Sequence, residues 1–292
     1  MASGQMETMG AVVITGASTG IGEACALRVD QLGFAVFAGV RKEADGESLQ
    51  QKASDRLTPV FIDVTDHASI ASAADIVAGA VGDSGLAGLV NNAGINIPGA
   101  LEFFPIADLR RQLEVNVIGQ IAVTQAFLPL LRKGRGRIIN IGSMNGKLAA
   151  PFVGPYCASK FAMEALTDSL RVELRPWRIS VSMVEPGFIA TPIWNKSQAT
   201  ENEIFKGLPQ EGHDLYAPAL AAMREMFDGA TRNATPPGAV AKAVAHALTA
   251  RTPKTRYVVG RNARRVTALA RLVPDRIRDW LVMRELGLPR DA

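Results

Sequence analysis

The sequence predicts an α/β protein built on one parallel, doubly wound sheet of about seven strands. Short apolar runs alternate with longer segments of helical periodicity. Most of these runs are apolar throughout, as expected for strands that are covered on both faces. A glycine-rich turn also joins the first predicted strand directly to the first predicted helix, which is the arrangement of a Rossmann-type nucleotide-binding fold.

The alternation assigns each element in turn. We predict strands at residues 11–15, 35–40, 58–63, 88–91, 137–142, 179–185 and 257–259. Helices are predicted at residues 21–31, 43–53, 69–81, 106–131, 156–175, 216–227 and 238–250. Strands that alternate with helices form a parallel sheet with right-handed connections.

Three segments divide the chain. Residues 10–260 are predicted to form a single Rossmann-type catalytic domain. Within it, residues 192–237 are polar and rich in Gly and Pro, so we expect an insertion that covers the site around one short helix. Residues 261–292 are predicted to be a basic amphipathic extension of two short helices, split at Pro274.

Composition narrows the class of protein. The 292 residues are 48% apolar, enough for a sizeable core, and the two cysteines cannot form a disulfide framework. Because the first ten residues lack a secretory pattern and no apolar run approaches 18 residues, we expect a cytoplasmic protein.

The end of the chain is basic, since residues 251–292 contain eleven Lys or Arg and four Asp or Glu. We interpret this as a solvated helix face, and we expect no nucleic-acid partner.

The first candidate site is the loop Thr15-Gly16-Ala17-Ser18-Thr19-Gly20-Ile21-Gly22. A strand, a glycine loop and a helix place backbone N–H groups and the positive helix end against a pyrophosphate. Gly16 permits the tight turn, Gly20 lets the backbone approach the phosphates, and Gly22 lets helix and strand pack closely.

The end of the second strand indicates which dinucleotide is bound. NAD-specific proteins carry an acid there, whereas this chain has Arg41, whose guanidinium can grip a 2′-phosphate. We therefore predict NADP(H) as the preferred cofactor. Glu43 keeps NAD(H) open, and Arg41 can also be read as a solvated surface residue.

The candidate catalytic pair is Tyr156 and Lys160, four residues apart at the start of a helix and so on one face of it. A neighbouring ammonium lowers the pKa of a phenol, so Tyr156 can exchange a proton with an alcohol or carbonyl oxygen. Ser143 ends a strand and can bond the substrate oxygen, and Asn116 is an amide in an apolar helix that needs partners. Further motifs fall at carboxyl ends of predicted strands, where open α/β sheets bind ligands, namely Asp63, Asn91-Asn92-Ala93-Gly94 and Pro186-Gly187.

Taken in order, these motifs resemble those of the short-chain dehydrogenase/reductases over about residues 10–195, with 257–260 as the last strand. The resemblance implies an oxidoreductase that moves a hydride between NAD(P) and an alcohol or carbonyl. It implies a catalytic tetrad of Asn116, Ser143, Tyr156 and Lys160, in which Lys160 also binds the nicotinamide ribose and Asn116 holds a water. It further implies that Asp63 meets the adenine amine, and that Thr191 and the Ile189 backbone meet the carboxamide. The remaining implied cofactor contacts are Ser18, Thr19, Ile21, Val64, Asn91, Ala93, Gly94, Pro186 and Gly187.

Within the family, stretches 54–57, 82–94 and 158–177 resemble the retinol, 17β-hydroxysteroid and 3-hydroxybutyrate dehydrogenase branch. Two departures are Gly142, where the family often has Ser, and the lack of the N-terminal membrane helix of many retinol enzymes. The predicted pocket walls, at residues 144–152, Phe188 and 192–237, are mostly apolar. A lipophilic alcohol or carbonyl, such as a steroid, a retinoid or a long-chain alcohol, is the expected substrate.

Other interpretations remain. The spacing Gly142-Ser143-Met144-Asn145-Gly146 is not a nucleophile elbow, and the three histidines lack metal-ligand spacing, so neither a hydrolase nor a metal site is expected. A non-catalytic protein that senses NADP(H) and a sugar epimerase are the alternatives.

The helix after Tyr156 is apolar on more than one face, which predicts a homodimer or homotetramer. The tail is expected to cap the pocket, with the stripe Ile277, Trp280 and Leu281 packed on the protein and a weak contact with anionic membranes second.

Overall fold

The computed structural model describes residues 9–285, and within them seven strands form one parallel sheet in the order β3-β2-β1-β4-β5-β6-β7. The strands are β1 (Ala11–Ile14), β2 (Ala35–Val40), β3 (Leu57–Phe61), β4 (Gly88–Asn91), β5 (Arg137–Ile141), β6 (Ser180–Pro186) and β7 (Arg256–Val259). The strand order reverses between β1 and β4, which opens a crevice at the carboxyl edge of the sheet. The predicted doubly wound sheet is confirmed, and its strand ends differ from the prediction by at most two residues.

Eleven α-helices accompany the sheet within the described residues. They are α1 (Gly20–Gln31), α2 (Glu43–Gln50), α3 (His67–Val81), α4 (Ile106–Leu113), α5 (Gly119–Gly134), α6 (Gly154–Glu173), α7 (Ile193–Lys206), α8 (Gln210–Arg232), α9 (Pro237–Thr249), α10 (Arg261–Leu272) and α11 (Asp275–Glu285). The prediction about the first ten residues concerns mainly 1–8, and the predicted extension reaches 286–292; both segments lie outside the described residues.

The core has one layer on each face of the sheet. Val12 and Ile139 point to the layer made with α1, α2 and α9, and Val13 and Ile138 point to the layer made with α3, α5 and α6. Neighbouring strand residues are thus buried on opposite faces, which is why the strands read as unbroken apolar runs. The carboxyl edge of the sheet, where the loops meet, is left for the site.

The predicted helix 106–131 contains a change of winding. It begins at Ile106 as predicted, but Glu114–Ile118 forms a π-helical turn before α5 continues to Gly134. Such a turn inserts one extra residue and is common at functional sites. By length and composition Ile106–Gly134 is also long and apolar enough to cross a membrane. Here its buried side chains, Phe127 among them, pack on the sheet.

The insertion is more ordered than the sequence predicts. One short helix was expected in residues 192–237, and this was wrong, because α7 and α8 span most of the segment. Pro218 lies inside α8, although a proline removes a backbone hydrogen bond. The burial of Ala219, Leu220 and Met223 against Ala100 and Phe152 outweighs that cost.

The tail forms two helices separated at Pro274, as predicted. Ala263 in α10 is buried, and Val282 in α11 packs on the cluster around Phe152 and Leu220. The stripe Ile277, Trp280 and Leu281 is only partly covered, since these residues are 51%, 44% and 38% exposed. The neighbouring face of α11 contacts the body of the protein through Val282.

Candidate active site

The glycine loop after β1 forms one wall of a cavity of about 630 Å³ at the carboxyl edge of the sheet. Gly16 and Gly20 have φ of +63° and +64°, which side-chain-bearing residues rarely adopt. A Cβ at Gly22 would lie 2.1 Å from the carbonyl oxygen of Gly16. The loop therefore requires glycine at all three positions, and it directs the N-terminus of α1 at the cavity, where an anion is stabilised.

Most predicted site residues line this one cavity. They are Gly16, Ser18, Thr19, Gly20, Ile21, Arg41, Asp63, Val64, Ala93, Gly94, Ser143, Tyr156, Lys160, Pro186, Gly187, Ile189 and Thr191. Gly22, Asn91 and Asn116 do not line it. The cavity is long enough to connect Arg41, beyond β2, with Tyr156 on α6.

The end of the cavity near β2 carries charges of both signs. Arg41 and Lys42 line it together with Asp45 and Asp63. Burial alone would raise the pKa of Asp63, but hydrogen bonds from the backbone N–H and hydroxyl of Thr65 and the charge of Arg41 bring it below its usual value. Asp63 is therefore an ionised hydrogen-bond acceptor at neutral pH.

At the other end, Ser143, Tyr156 and Lys160 come together. Ser143 follows β5 and bonds the Tyr156 hydroxyl, while its Oγ accepts a 3.1 Å bond from the backbone N–H of Asn145. Lys160 donates from Nζ to the carbonyl oxygen of Ile141 at 2.9 Å, and the same Nζ lies 5.6 Å from the centre of the Tyr156 ring. Tyr156 and Lys160 thus share one face of α6, as their spacing predicts.

Burial dominates the ionisation of this pair. It raises the pKa of Tyr156 to about 12, and the bond from Ser143 offsets only part of that. Burial also lowers the pKa of Lys160 to about 8. The sequence predicted that the nearby ammonium lowers the pKa of Tyr156, but the structure shows a raised pKa. Tyr156 is therefore a protonated phenol that can donate its proton.

Asn116 lies in the helical turn Glu114–Ile118, and its amide has the partners that an amide in an apolar helix needs. Its Oδ1 accepts from the backbone N–H of Ile95 at 2.8 Å, and its Nδ2 donates to the carbonyl of Ile95 at 2.9 Å and to Ser159 Oγ at 3.0 Å. The side chain is buried, and these bonds hold the loop after β4 against α6. The side-chain amide of Asn116 is thus engaged with the protein, and the implied role of Asn116 in holding a water stays a prediction.

Asn91 is also buried, and its side chain forms hydrogen bonds that connect neighbouring elements. Its Nδ2 donates to Thr124 Oγ1 at 2.8 Å and to Asn140 Oδ1 at 2.9 Å, which joins β4 to β5 and α5. The next residue, Asn92, was not singled out, yet it lines the cavity and donates to the carbonyl oxygens of Thr15 and Gly16. The sequence could have predicted Asn92 as a site residue, because it lies in the motif 91–94 at the carboxyl end of a predicted strand.

Two glycines near the catalytic end are explained by packing. A Cβ at Gly142 would lie 2.6 Å from the sulfur of Met183, so the serine common in the family does not fit here without movement. A Cβ at Gly187 would lie 3.0 Å from the backbone nitrogen of Ala263. The tail helix α10 therefore packs directly on the Pro186-Gly187 wall of the cavity.

Aromatic side chains close the remaining side of the cavity. Phe188, Trp194 and Phe227 form a triangle with ring centres 5.3 to 5.8 Å apart. Trp194 and Phe227 also line a second cavity of about 310 Å³ between α7 and α8. Sequence reasoning expected apolar walls from this segment but did not find Trp194 or Phe227, because their meeting depends on the two helices.

The fold and the site define a dinucleotide-binding α/β protein with a proton-donating tyrosine beside the nucleotide cavity. Residues 10–202 match the model of the short chain dehydrogenase family. The chain belongs to this family, and it is an oxidoreductase of that class.

Relatives from the predicted branch match most of the chain. Retinol dehydrogenase 5 of Mus musculus is 39% identical over 94% of this chain and 89% of its own length. The human 17-beta-hydroxysteroid dehydrogenase type 6 is 38% identical, with coverage of 96% and 90%. The mitochondrial D-beta-hydroxybutyrate dehydrogenase of Bos taurus is 40% identical, with coverage of 85% and 76%. The branch predicted from the sequence is confirmed.

A solved structure supports the same assignment. The short chain dehydrogenase of Burkholderia cenocepacia J2315, in complex with NADP, superposes with a TM-score of 0.71 at 26% identity. The alignment covers 97% of this chain and 99% of that one.

Proposed function

We propose that this protein transfers a hydride between NADP(H) and the alcohol or carbonyl carbon of a lipophilic substrate. The observation that carries the proposal is one cavity that joins the glycine loop to Ser143, Tyr156 and Lys160. The roles of these residues follow from their chemistry. The Tyr156 hydroxyl gives its proton to the carbonyl oxygen in reduction and takes it back in oxidation, and the Ser143 hydroxyl bonds the same oxygen.

The residues present fit the cofactor. Gly16, Gly20 and Gly22 allow the tight loop that directs the N-terminus of α1 at the cavity, where a pyrophosphate is stabilised, and when bound the dinucleotide supplies or accepts the hydride. Arg41 and Lys42 favour a 2′-phosphate, and the family member from Burkholderia cenocepacia holds NADP. We propose that Lys160 bonds the ribose, that Asp63 accepts from the adenine amine, and that Ile189 and Thr191 hold the carboxamide.

The apolar side chains that line the cavity indicate the class of substrate. Phe188, Trp194 and Phe227 present apolar surface next to Tyr156, and the relatives are named for retinol and hydroxysteroid oxidation. A steroid, a retinoid or a long-chain alcohol and its carbonyl fit such walls. The segment 192–237 is then a substrate cover, and the tail helps to close it through Val282.

Spectrophotometry with a carbonyl panel tests the proposal. Purified protein is mixed with NADPH and with aldehydes of increasing chain length, a ketosteroid and retinal, and loss of the reduced cofactor is followed. We expect turnover that improves with apolar size and disappears in Tyr156→Phe, while that variant still binds NADPH. Binding of NADPH with no turnover of any carbonyl would favour the alternative, a non-catalytic NADP(H) sensor.

We further propose a homodimer or homotetramer formed through α6. Its outer face exposes Phe161 (44%) and Val172 (67%), and burying such side chains favours self-association. Light scattering of the unmodified protein and of Phe161→Glu tests this, since the variant should shift the protein toward monomer. A monomeric unmodified protein at micromolar concentration contradicts it.

The compartment we propose is the cytoplasm, with weak peripheral contact at anionic membranes. Both cysteines are buried free thiols, which agrees with a reducing compartment. The exposed Ile277 and Leu281 of α11 lie among Arg276, Arg278 and Arg284, the pattern of an interfacial helix. Co-sedimentation with anionic liposomes at low salt tests the contact, and protein left wholly in the supernatant contradicts it.

A further inference from the structure

A cluster of charged side chains lies behind the site, between β6, β7, α6 and the turn after β5. Its members are Lys147, Glu164, Asp168, Arg171, Glu185 and Arg256. Glu164 and Glu185 are buried, Glu185 completely. Buried carboxylates are costly unless they are paired, so the cluster is tightly constrained.

One contact in this cluster connects the two segments that carry the catalytic groups. Lys147 donates from Nζ to Glu164 Oε2 at 2.5 Å. Lys147 directly follows the turn Met144–Gly146, whose cap is Ser143. Glu164 lies one turn after Lys160 on α6. The ion pair thus holds the Ser143 segment to the helix that carries Tyr156.

Arg256 and Glu185 hold this pair in place, whereas the Asp168 carboxylate forms an ion pair with neither member of it. Arg256 on β7 donates from Nη2 to Glu164 Oε2 at 2.9 Å and also bonds Asp168, which pairs with Arg171. Glu185 Oε1 lies 3.2 Å from Arg256 Nε and 3.7 Å from Lys147 Nζ. Lys147 therefore lies between Glu164 and Glu185, and Arg256 contacts the same two buried carboxylates as well as Asp168. The two buried carboxylates share two cations, and loss of either cation leaves them with one.

Packing makes the catalytic geometry sensitive to this link. A Cβ at Gly146 would lie 3.0 Å from the carbonyl oxygen of Lys160, so the turn rests directly on the backbone of α6. A shift of the turn along the helix changes the separation of Ser143 from Tyr156. Misplacement of a catalytic group by about 1 Å can cost about 100-fold in rate.

We propose that Lys147 and Glu164, held by Arg256 and Glu185, are positioning residues that set Ser143 against Tyr156. They touch neither substrate nor cofactor, and they act through the turn that ends at Gly146. The inference rests on the proposed oxidoreductase function, since it concerns the geometry of that site.

The ionisation of Glu185 agrees with this arrangement. Burial and the neighbouring Glu164 raise its pKa, Lys147 and Arg256 oppose that rise, and the net result is a pKa of about 7. Removal of the Lys147 charge would leave the two carboxylates facing each other with one cation fewer, and the turn would lose its anchor.

The test is a double-mutant cycle between Lys147 and Ser143. We expect Lys147→Met to lower kcat for carbonyl reduction by about 10- to 100-fold, with the Kd for NADPH unchanged. In the Ser143→Ala background, Lys147→Met should lower kcat less than threefold, because the Ser143 hydroxyl that Lys147 positions is absent. Lys147→Arg should restore most of the rate, since it keeps the charge. The apolar stem of Met fills the place of the lysine chain, so we expect the variant to fold.

Asp168→Asn is the matched control. It removes a charge from the same cluster and the same helix but leaves the bond from Lys147 to Glu164, so it should change melting temperature more than kcat. Equal loss of kcat from Lys147→Met in both backgrounds, or no loss in either, overturns the inference. These outcomes are distinct from failure of the proposed function, in which the unmodified protein turns over no carbonyl at all.

Discussion

The raised pKa of Tyr156 predicts which direction of the reaction responds to pH. Oxidation of an alcohol by a nicotinamide releases one proton, so the ratio of kcat/KM for oxidation to kcat/KM for reduction must change about tenfold per pH unit. A proton carrier with a pKa of about 12 is protonated throughout the neutral range. At pH 7 Tyr156 is therefore almost entirely the protonated phenol, and the phenolate is a very small fraction.

The two directions should therefore differ in a specific way. Reduction needs the protonated phenol, so its kcat/KM should stay level between pH 6 and pH 8. Oxidation needs the phenolate, so its kcat/KM should rise about 100-fold over the same two units. The range ends at pH 8 because Lys160, with a pKa of about 8, has lost about half of its charge there.

The assay is steady-state turnover of one alcohol and its carbonyl, with Tyr156→Phe as the reference. That variant should lose about 100- to 10,000-fold in kcat, the usual contribution of a positioned acid or base. The reasoning is refuted if oxidation is level while reduction falls about tenfold per unit, which would place the pKa of the proton carrier below 6. Turnover by Tyr156→Phe within tenfold of the unmodified enzyme would refute the assignment of Tyr156 itself.

Three further changes probe the cofactor end, the core and the tail. Arg41→Ala should raise KM for NADPH by about 10- to 100-fold with little effect on NADH, because a charge-assisted bond contributes about 1.5–3 kcal/mol; equal effects on both cofactors would contradict the assigned 2′-phosphate contact. Phe127 is fully buried against the sheet, so Phe127→Ala should lower the free energy of unfolding by about 3–5 kcal/mol in urea titrations; a loss under 1 kcal/mol would mean the site repacks. Truncation after Gly260 should raise KM for long apolar carbonyls but not for short ones, because Val282 packs on the cluster of α8; unchanged KM for both would exclude a capping role.

The sequence by itself determined the sheet, its nucleotide loop and the family. Continuous apolar strands, a glycine loop and a tyrosine-lysine spacing are local patterns, and the physical constraints behind them act within a few residues. Gly16, Gly20 and Gly22 illustrate this, because positive φ and close backbone contact exclude any side chain there. The same locality is why the face shared by Tyr156 and Lys160 could be predicted without coordinates.

The tertiary structure decided what depends on distant segments meeting. Burial by surrounding elements outweighs the ammonium of Lys160 and raises the pKa of Tyr156, which no spacing rule can show. Asn116 is occupied by Ile95 and Ser159 from two other segments, and α8 continues through Pro218 because Phe152 packs against it. The ion pair from Lys147 to Glu164 also joins a turn to a helix seventeen residues away. Such contacts carry no local signature, since their energy comes from desolvation and packing that exist only once the chain has folded.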